Sequence, residues 1–254
     1  MMRKILLTIA YKGTSYCGFQ IQPNGTSVEE ILNENLSRIA GHDVKVFGAG
    51  RTDAGVHALG QRASFDLYGN IPTENIPEAV NGLLPNDIVV LEAKEVSPDF
   101  NCRYDAKLKH YRYSVRNTDF ASPFDYDTSY YFPEKLNLDL MRKAADIMVG
   151  EHSFEAFTAA NSGRTNFIRK VDRIDIIEED PYVYIDVFGA GFLYKMVRSL
   201  AGALIDVGRG YLDKNVIAEA LQTGDRSVLS LTAPGRGLCL ISIDYDADCL
   251  EKKS

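Results

Sequence analysis

The chain has 254 residues, 45% hydrophobic and 25% charged, with a formal net charge of −7. That size fits one large domain or two intimate halves, and the balance is that of an ordinary globular protein. No apolar run approaches the length needed to cross a bilayer, and the acidic balance argues mildly against a polyanionic partner.

The first apolar stretch follows Arg3 and Lys4 and runs into Tyr11-Lys12-Gly13. A strand over 4–11 explains it better than a signal peptide. A Gly/Asn/Ser-rich loop leads to Ser27, and Ser27 with Glu30 fits a capping box. Val28, Ile31, Leu32, Leu36 and Ile39 recur at helical spacing, and Gly41 fits the stop. A short strand over 44–47, a glycine-rich loop, a strand over 62–67, a helix over 73–81 and a strand over 88–96 follow. The order is β-α-β-β-α-β, the ferredoxin-like split pattern.

The remainder repeats that order loosely. The pattern predicts a strand over 110–116, a helix over 137–149, strands over 170–177 and 182–188, helices over 192–207 and 214–222, and a strand over 238–245. Leu193, Met196, Val197, Leu200 and Leu204 form the inward stripe of the 192–207 helix. The expectation is an α+β protein of two ferredoxin-like halves, 1–105 and 106–254, forming one mixed, largely antiparallel sheet with a central cleft. No Pro/Gly/Ser-rich linker separates the halves, which meet near 97–108.

Cys17, Cys102, Cys239 and Cys249 show no C-x-x-C spacing, and His42, His57, His110 and His152 are equally scattered. Reduced thiols in a cytoplasmic protein without a metal fit that spacing. Charge is unevenly spread. Arg103, Lys107, Lys109, Arg112 and Arg116 face one acid, Asp105, and Arg164, Arg169, Lys170 and Arg173 face one acid, Asp172. Excess acid lies at Glu178-Glu179-Asp180 and at Asp244, Asp246, Asp248 and Glu251. Two basic stretches can hold a polyanion, but charge alone favours two solvated strand faces.

Residues 47–58 read F-G-A-G-R-T-D-A-G-V-H-A. The run lacks the P-loop and dinucleotide-binding patterns. What remains is a glycine-rich loop presenting Arg51 and Asp53 at fixed separation. A carboxylate near a guanidinium stays ionised and can attack an anomeric carbon; it can equally cap a turn and pair for stability. Residue types leave these two readings about even.

The string G-R-T-D-A-G-V-H-A over 50–58 resembles the signature of the TruA branch of the tRNA pseudouridine synthases. Further resemblances fall in order: Tyr11-x-Gly13 with Gly18-Phe19-Gln20-x-Gln22, Ser27-Val28-Glu29, N-G-L-L-P-N-D over 81–87, F-N-C-R-Y over 100–104, K-H-Y-R-Y over 109–113, S-G-R-T-N over 162–166, F-L-Y-K-M-V-R-S-L-A-G over 192–202, and Gly237-Leu238 with Leu240. They cover essentially the whole chain. Two departures occur: the family usually has Trp at Phe19 and a basic residue near Ile21.

The resemblance implies the pseudouridine synthase fold and a cofactor-free isomerase acting on uridines at tRNA positions 38, 39 and 40. It implies Asp53 as the catalytic carboxylate, Arg198 as its partner, and Arg51 holding or replacing the displaced nucleotide. Tyr111 would stack on the target base, with Leu240 also at the substrate. RNA contacts would come from Phe100, Asn101, Cys102, Arg103, Tyr104, Lys109, Arg112, Ser162, Gly163, Arg164, Thr165, Asn166 and Arg169. It further implies a homodimer holding tRNA across both subunits, no metal, and a cytoplasmic location. Whether Asp53 attacks the sugar, attacks the base or abstracts a proton is open. Other readings are an RNA-binding module with dispensable chemistry, a synthase with another RNA target, and a glycosidase. The last usually needs a second carboxylate, and the loop has none.

Overall fold

The computed structural model describes residues 2–159, 165–229 and 232–250. In chain order the elements are β1 (Met2–Tyr11), α1 (Val28–Ala40), β2 (Phe47–Gly48), β3 (His57–Tyr68), α2 (Ile76–Asn81), β4 (Ile88–Val96), β5 (Ala106–Arg116), β6 (Tyr130–Tyr131), α3 (Leu138–Met148), β7 (Gly150–Ser153), β8 (Ile168–Val171), β9 (Arg173–Glu179), β10 (Tyr182–Gly189), α4 (Met196–Gly208), α5 (Lys214–Thr223), β11 (Leu238–Tyr245) and α6 (Ala247–Leu250). The α+β class is as expected. Two compact units emerge, residues 1–109 with 239–254, and residues 110–238. The division thus falls four residues later than the sequence pattern places it, and residues 239–254 group with the first unit.

In the first unit the strand order is β4-β1-β3-β11, with β2 also on β3. β1 runs antiparallel to β3, with Ile5 opposite Phe65, and to β4, with Lys4 opposite Val96. The far edge of β3 is shared. β2 takes Ala63 and Ser64 antiparallel, and β11 takes His57 and Ala58 parallel. Ile5, Leu7 and Ile9 alternate along β1 and are fully buried, as are Val28, Leu32 and Leu36 of α1 and Ile76 and Val80 of α2. These periods of two and of three to four put one apolar face of each element into a common core. Asn81 acts as a strand substitute: its amide donates to the Val90 carbonyl and accepts from the Val90 N–H, both at 2.8 Å. The 81–87 motif is therefore structural at its start. It is structural at its end too, where Asp87 accepts the Tyr16 hydroxyl at 2.6 Å.

Two departures from the sequence pattern in the first unit have local causes. Val44 and Val46 are buried, as a strand over 44–47 requires, but their N–H groups are taken by Ser37 Oγ and Asn33 Oδ1 of α1, each at 2.8 Å. Side chains of a helix have replaced the sheet partner, and β2 begins only at Phe47. The 73–81 helix opens as a 3-10 turn, Thr73–Asn75, and becomes α-helical at Ile76. Pro77 lacks an N–H and is tolerated only in a first turn, so the α-helix cannot start much earlier.

In the second unit β5, β10 and β9 are neighbours, with Ile185 opposite Ile176, and β6 adds to β5. Val183, Ile185 and Val187 of β10 and Met141, Ala144, Ala145 and Met148 of α3 are buried. α4 is buried along nearly its whole length. The sequence pattern starts that helix at 192, but Lys195 sits in the left-handed region at φ 60° and breaks it before Met196. The apolar stripe continues through the break, which is why periodicity does not reveal it. β7 and β8 form a separate two-stranded sheet absent from the sequence reading, with His152 opposite Arg169.

The capping box at α1 is formed, with Glu30 N–H donating to Ser27 Oγ at 3.2 Å and Ser27 N–H to the Glu30 carboxylate at 3.4 Å. Ser27→Ala removes this cap and is expected to cost about 1 kcal/mol, lowering Tm by about 2–4 °C in a thermal melt. An unchanged Tm would show that packing alone holds the helix start.

Candidate active site

The glycine-rich loop between β2 and β3 is anchored from several directions. Ala49 N–H donates to the Arg62 carbonyl at 2.8 Å, and the Gln61 amide donates to the Gly50 carbonyl at 3.0 Å. Thr52 is buried, its hydroxyl 2.7 Å from the Tyr11 hydroxyl, and Gln61 reaches the same Tyr11 oxygen. Phe19 N–H donates to the Thr52 carbonyl at 3.1 Å, and Gly18 and Asp53 form an isolated β-bridge. A turn closes at Val56, whose N–H donates to the Asp53 carbonyl at 3.1 Å. His57 is buried, with Nδ1 accepting the Gly13 N–H at 3.0 Å.

Two glycines make this approach possible. A Cβ at Gly13 would lie 2.0 Å from the Val56 carbonyl oxygen, and one at Gly18, at φ +124°, would lie 2.6 Å from the Thr52 oxygen. Both distances are below any real contact, so only glycine lets the 12–19 segment press on the loop. Tyr11 is buried with its hydroxyl in this network, and burial holds the phenol protonated well above its usual range, with bonds to Thr52 and Gln61 opposing. A neutral phenol can donate as well as accept. The outcome is that Thr52 points inward while Asp53 is half-buried and Arg51 exposed, on either side of it.

Lys109 completes the anchoring. The sequence reading expects it at the RNA backbone, but its ammonium donates to the Ala49 carbonyl at 2.7 Å and the residue is 8% exposed. Burial, with the like charge of Arg103 beside it, lowers its pKa to about 8, against a smaller opposing pull from Cys102. The residue holds the loop and presents no charge to a phosphate.

The F-N-C-R-Y segment divides similarly. Phe100 and Cys102 are buried at 4% and 2%, and the Cys102 thiol donates to the Phe47 carbonyl at 2.9 Å. Both are almost wholly covered by protein and lie beneath the surface that the expectation assigned to RNA. Asn101 Oδ1 accepts the N–H groups of Arg103 and Tyr104 at 3.0 and 3.1 Å, and Asp105 accepts the Asn101 N–H at 2.8 Å. This reciprocal turn holds Arg103 and Tyr104 outward. Leu240 is fully buried on β11 beside Ala58, and as it stands offers no surface to a substrate. Phe19 is buried against Tyr11, ring centroids 6.2 Å apart, and Ile21 is 51% exposed.

In the second unit Tyr111 is buried at 7% and meets Phe192 edge-on at 5.4 Å. Arg198, on the first turn of α4, donates through Nε to the Ala233 carbonyl at 2.8 Å, and Ala233 N–H returns to the Arg198 carbonyl at 3.1 Å. Arg112 grips Asp186 with two bonds of 2.8 and 2.7 Å and lies over Tyr184. Burial raises the Asp186 carboxyl, but the Arg112 bonds and the nearby His110 outweigh it and hold it below the usual carboxylate range. Arg112 is therefore engaged in an internal pair, which neutralises much of the charge that the expectation offered to a phosphate. Thr165 and Asn166 are exposed, Asn166 Oδ1 accepting the Ile168 N–H at 2.9 Å, and Arg169 lies on β8. Ser162, Gly163 and Arg164 lie outside the described residues.

The basic stretches are largely neutralised from within. Lys107 pairs with Asp246, Arg116 with Asp125, Lys170 with Asp172 and Arg173 with Asp175, at 2.6–3.0 Å. Arg51 and Arg103 make no ion pair among the described residues. No group of three His, Cys, Asp or Glu placed to hold a metal occurs among the described residues, and no described helix is long and apolar enough to cross a membrane. The sequence reading missed Tyr11, Gln61 and His57 as supports of the loop. Tyr11, Gly13 and His57 lie within the resembling motifs, which was the available signal.

Lys109→Met leaves the Ala49 carbonyl without its donor. The amides of residues 50–56 are expected to exchange about five- to tenfold faster, read by hydrogen-exchange mass spectrometry. The wild type should also gain stability relative to the variant as pH rises from 8 toward about 10.4. In that window the unfolded lysine binds a proton that the folded one has lost. A constant difference between the two proteins across the window would overturn the buried ammonium.

A family model described as tRNA pseudouridine synthase matches residues 7–105 and 144–246. Among curated proteins, tRNA pseudouridine synthase A of Geotalea daltonii is 43% identical over 96% of this chain and 100% of its own length. The protein of that name from Citrifermentans bemidjiense is 43% identical over 98% and 100%. That from Thermoanaerobacter sp. strain X514 is 40% identical over 96% and 100%. Matching of this extent, across both units and including the anchored loop around Asp53, establishes that the chain belongs to the tRNA pseudouridine synthase family.

Proposed function

We propose that the chain isomerises uridine to pseudouridine at positions 38, 39 and 40 of the tRNA anticodon stem-loop, with Asp53 as its catalytic carboxylate. The reaction breaks the N1–C1′ bond of the nucleotide, turns the base and joins C5 to C1′. The C5 proton departs and N1 gains one, so no net oxidation occurs, no water is consumed, and no cofactor is required. The protein must supply one well-placed carboxylate, hold the free base and exclude competing water.

The observation that carries this reading is the loop itself. Asp53 is half-buried between a buried Thr52 and an exposed Ala54, on a backbone pinned by Tyr11, Gly13, Phe19, Gln61 and Lys109. So much fixed structure around one acid suits a group that must meet a reacting carbon within a few tenths of an ångström. An aspartate serving only as a turn cap needs none of it.

By family resemblance Arg198 is the partner of this carboxylate and Tyr111 stacks on the target base. Arg198 donates through Nε to the Ala233 carbonyl at 2.8 Å, which fixes its place at the start of α4. Extruding a stem uridine costs a few kcal/mol of unstacking, and Arg51 is suited to help hold the displaced nucleotide or fill its space. Arg103, Arg164 and Arg169 are the phosphate contacts of this proposal, with Asn101, Tyr104, Ser162, Gly163, Thr165 and Asn166 near them. The protein is a cytoplasmic homodimer in this reading, and two copies joining their basic surfaces explain how an acidic chain holds tRNA.

Asp53→Asn is nearly isosteric but cannot act as nucleophile or base. With an unmodified tRNA carrying uridines at 38–40, the wild type is expected to form pseudouridine at those positions. The variant should lose activity by at least about 10⁴-fold while keeping tRNA affinity within a fewfold. Pseudouridine at full rate from the variant would remove Asp53 from catalysis. Product at other positions would move the target.

A further inference from the structure

Within the first unit, beside the loop, lies a cavity of about 410 Å³. Its rim carries Phe47, Tyr104, Arg51, Arg103, Gln20 and Asn101. Phe100, Cys102, Phe19 and Phe65 form a buried floor. The volume is that of a small-ligand site and too small for a duplex.

The rim has two unusual features. Phe47 is 63% exposed and Tyr104 80% exposed, although both sit on firmly held backbone. The Phe47 carbonyl accepts the Cys102 thiol, and Tyr104 N–H is capped by Asn101. Phe47 and Tyr104 are thus held out to solvent by structure that does not bury them. Secondly, Arg51 and Arg103, which make no ion pair among the described residues, both open onto this cavity. Two carboxylates also line it. Glu29 is engaged by the Ile21 N–H at 2.8 Å, and Asp66 stands across the sheet from Lys4, whose ammonium reaches the Pro98 and Phe100 carbonyls. Exposed π-faces beside unneutralised guanidinium groups, with amide side chains between them, match one nucleotide: a base to stack and a phosphate to pair.

We propose that this cavity binds a single nucleotide of the substrate tRNA next to the target uridine, its base on Phe47 and Tyr104 and its phosphate on Arg51 and Arg103. The inference rests on the tRNA reading above and assigns that RNA a second, non-reacting contact. Adjacency follows from the chain: Arg51 and Asp53 are two residues apart, at most about 7 Å between Cα atoms, so whatever Arg51 holds lies close to the reacting base. Removing one base from a stem deprives its neighbour of a stacking partner, and an aromatic rim beside the site supplies a replacement. Stacking of this kind reads no sequence, which suits an enzyme acting on several neighbouring uridines.

The test uses full-length protein and anticodon stem-loop RNAs carrying 5-iodouridine at single positions flanking the target. Irradiation is expected to join Phe47 or Tyr104 to RNA from an adjacent position, identified by peptide mass spectrometry. In parallel, Phe47→Ala combined with Tyr104→Ala is expected to raise the tRNA concentration for half-maximal pseudouridine formation by about tenfold or more, with a smaller change in limiting rate. Tyr104→Phe, which keeps the ring, should stay close to wild type in that concentration. Both side chains are exposed, so the double variant keeps its core, and circular dichroism verifies this. Pseudouridine formation by the wild type with no adjacent crosslink, or with half-saturation unchanged in the double variant, overturns the cavity assignment and leaves the enzymatic reading standing. No pseudouridine from the wild type removes both.

Discussion

The contact of the Gly13 backbone with the Val56 carbonyl is the constraint on which the site turns. A Cβ there would sit 2.0 Å from a carbonyl oxygen, so a segment that would otherwise stand off is brought against the loop. Once it is there, Gly13 N–H reaches His57, Tyr11 meets Thr52, and Phe19 closes on the Thr52 carbonyl. Each bond is modest alone, about 1 kcal/mol net, but together they fix a backbone whose glycines would otherwise cost it order. Lys109 does the same from the opposite side with a charged donor. A buried ammonium gives up hydration, which is the main reason its pKa is lowered, and the bond to the Ala49 carbonyl offsets part of that loss.

Charge in this protein is arranged differently from its one-dimensional appearance. The stretch around 103–116 looks strongly basic because the acids that pair with it lie outside it in sequence. In space Arg112 finds Asp186, Arg116 finds Asp125 and Lys107 finds Asp246. Arg112 and Asp186 pair across the neighbouring strands β5 and β10, and pairs of this kind contribute little field at a distance. Arg51 and Arg103, which make no ion pair among the described residues, both line one cavity. Cations left without a carboxylate give an acidic protein a local positive potential.

The class of fold and the β-α-β-β-α-β order were legible because their signals are local: alternation in β1, the Ser27–Glu30 cap, the 3.6-residue stripe of α1. The loop at 47–58 was legible for another reason, since a nine-residue string of glycines, Arg, Asp and His is too specific to arise from packing. What sequence could not convey were partners distant in the chain. Val44 and Val46 alternate like a strand, yet side chains of α1 take their N–H groups. Lys109 stands in a basic run, yet faces a carbonyl 60 residues away. Phe100 and Cys102 belong to a motif associated with RNA, yet support it from beneath. The left-handed Lys195 is silent in any periodicity.

β11 closes the first unit with residues made only after the whole of 110–238 has been synthesised. Until they emerge, His57 and Ala58 on β3, at the foot of the glycine-rich loop, are an open strand edge, the kind of surface that recruits wrong partners. On the ribosome the second unit therefore has a head start, and the loop carrying Asp53 acquires its final neighbour last. A nascent or truncated chain holding every loop residue but lacking β11 would carry Asp53 without the strand that borders its loop, which makes the setting of that acid depend on residues far downstream.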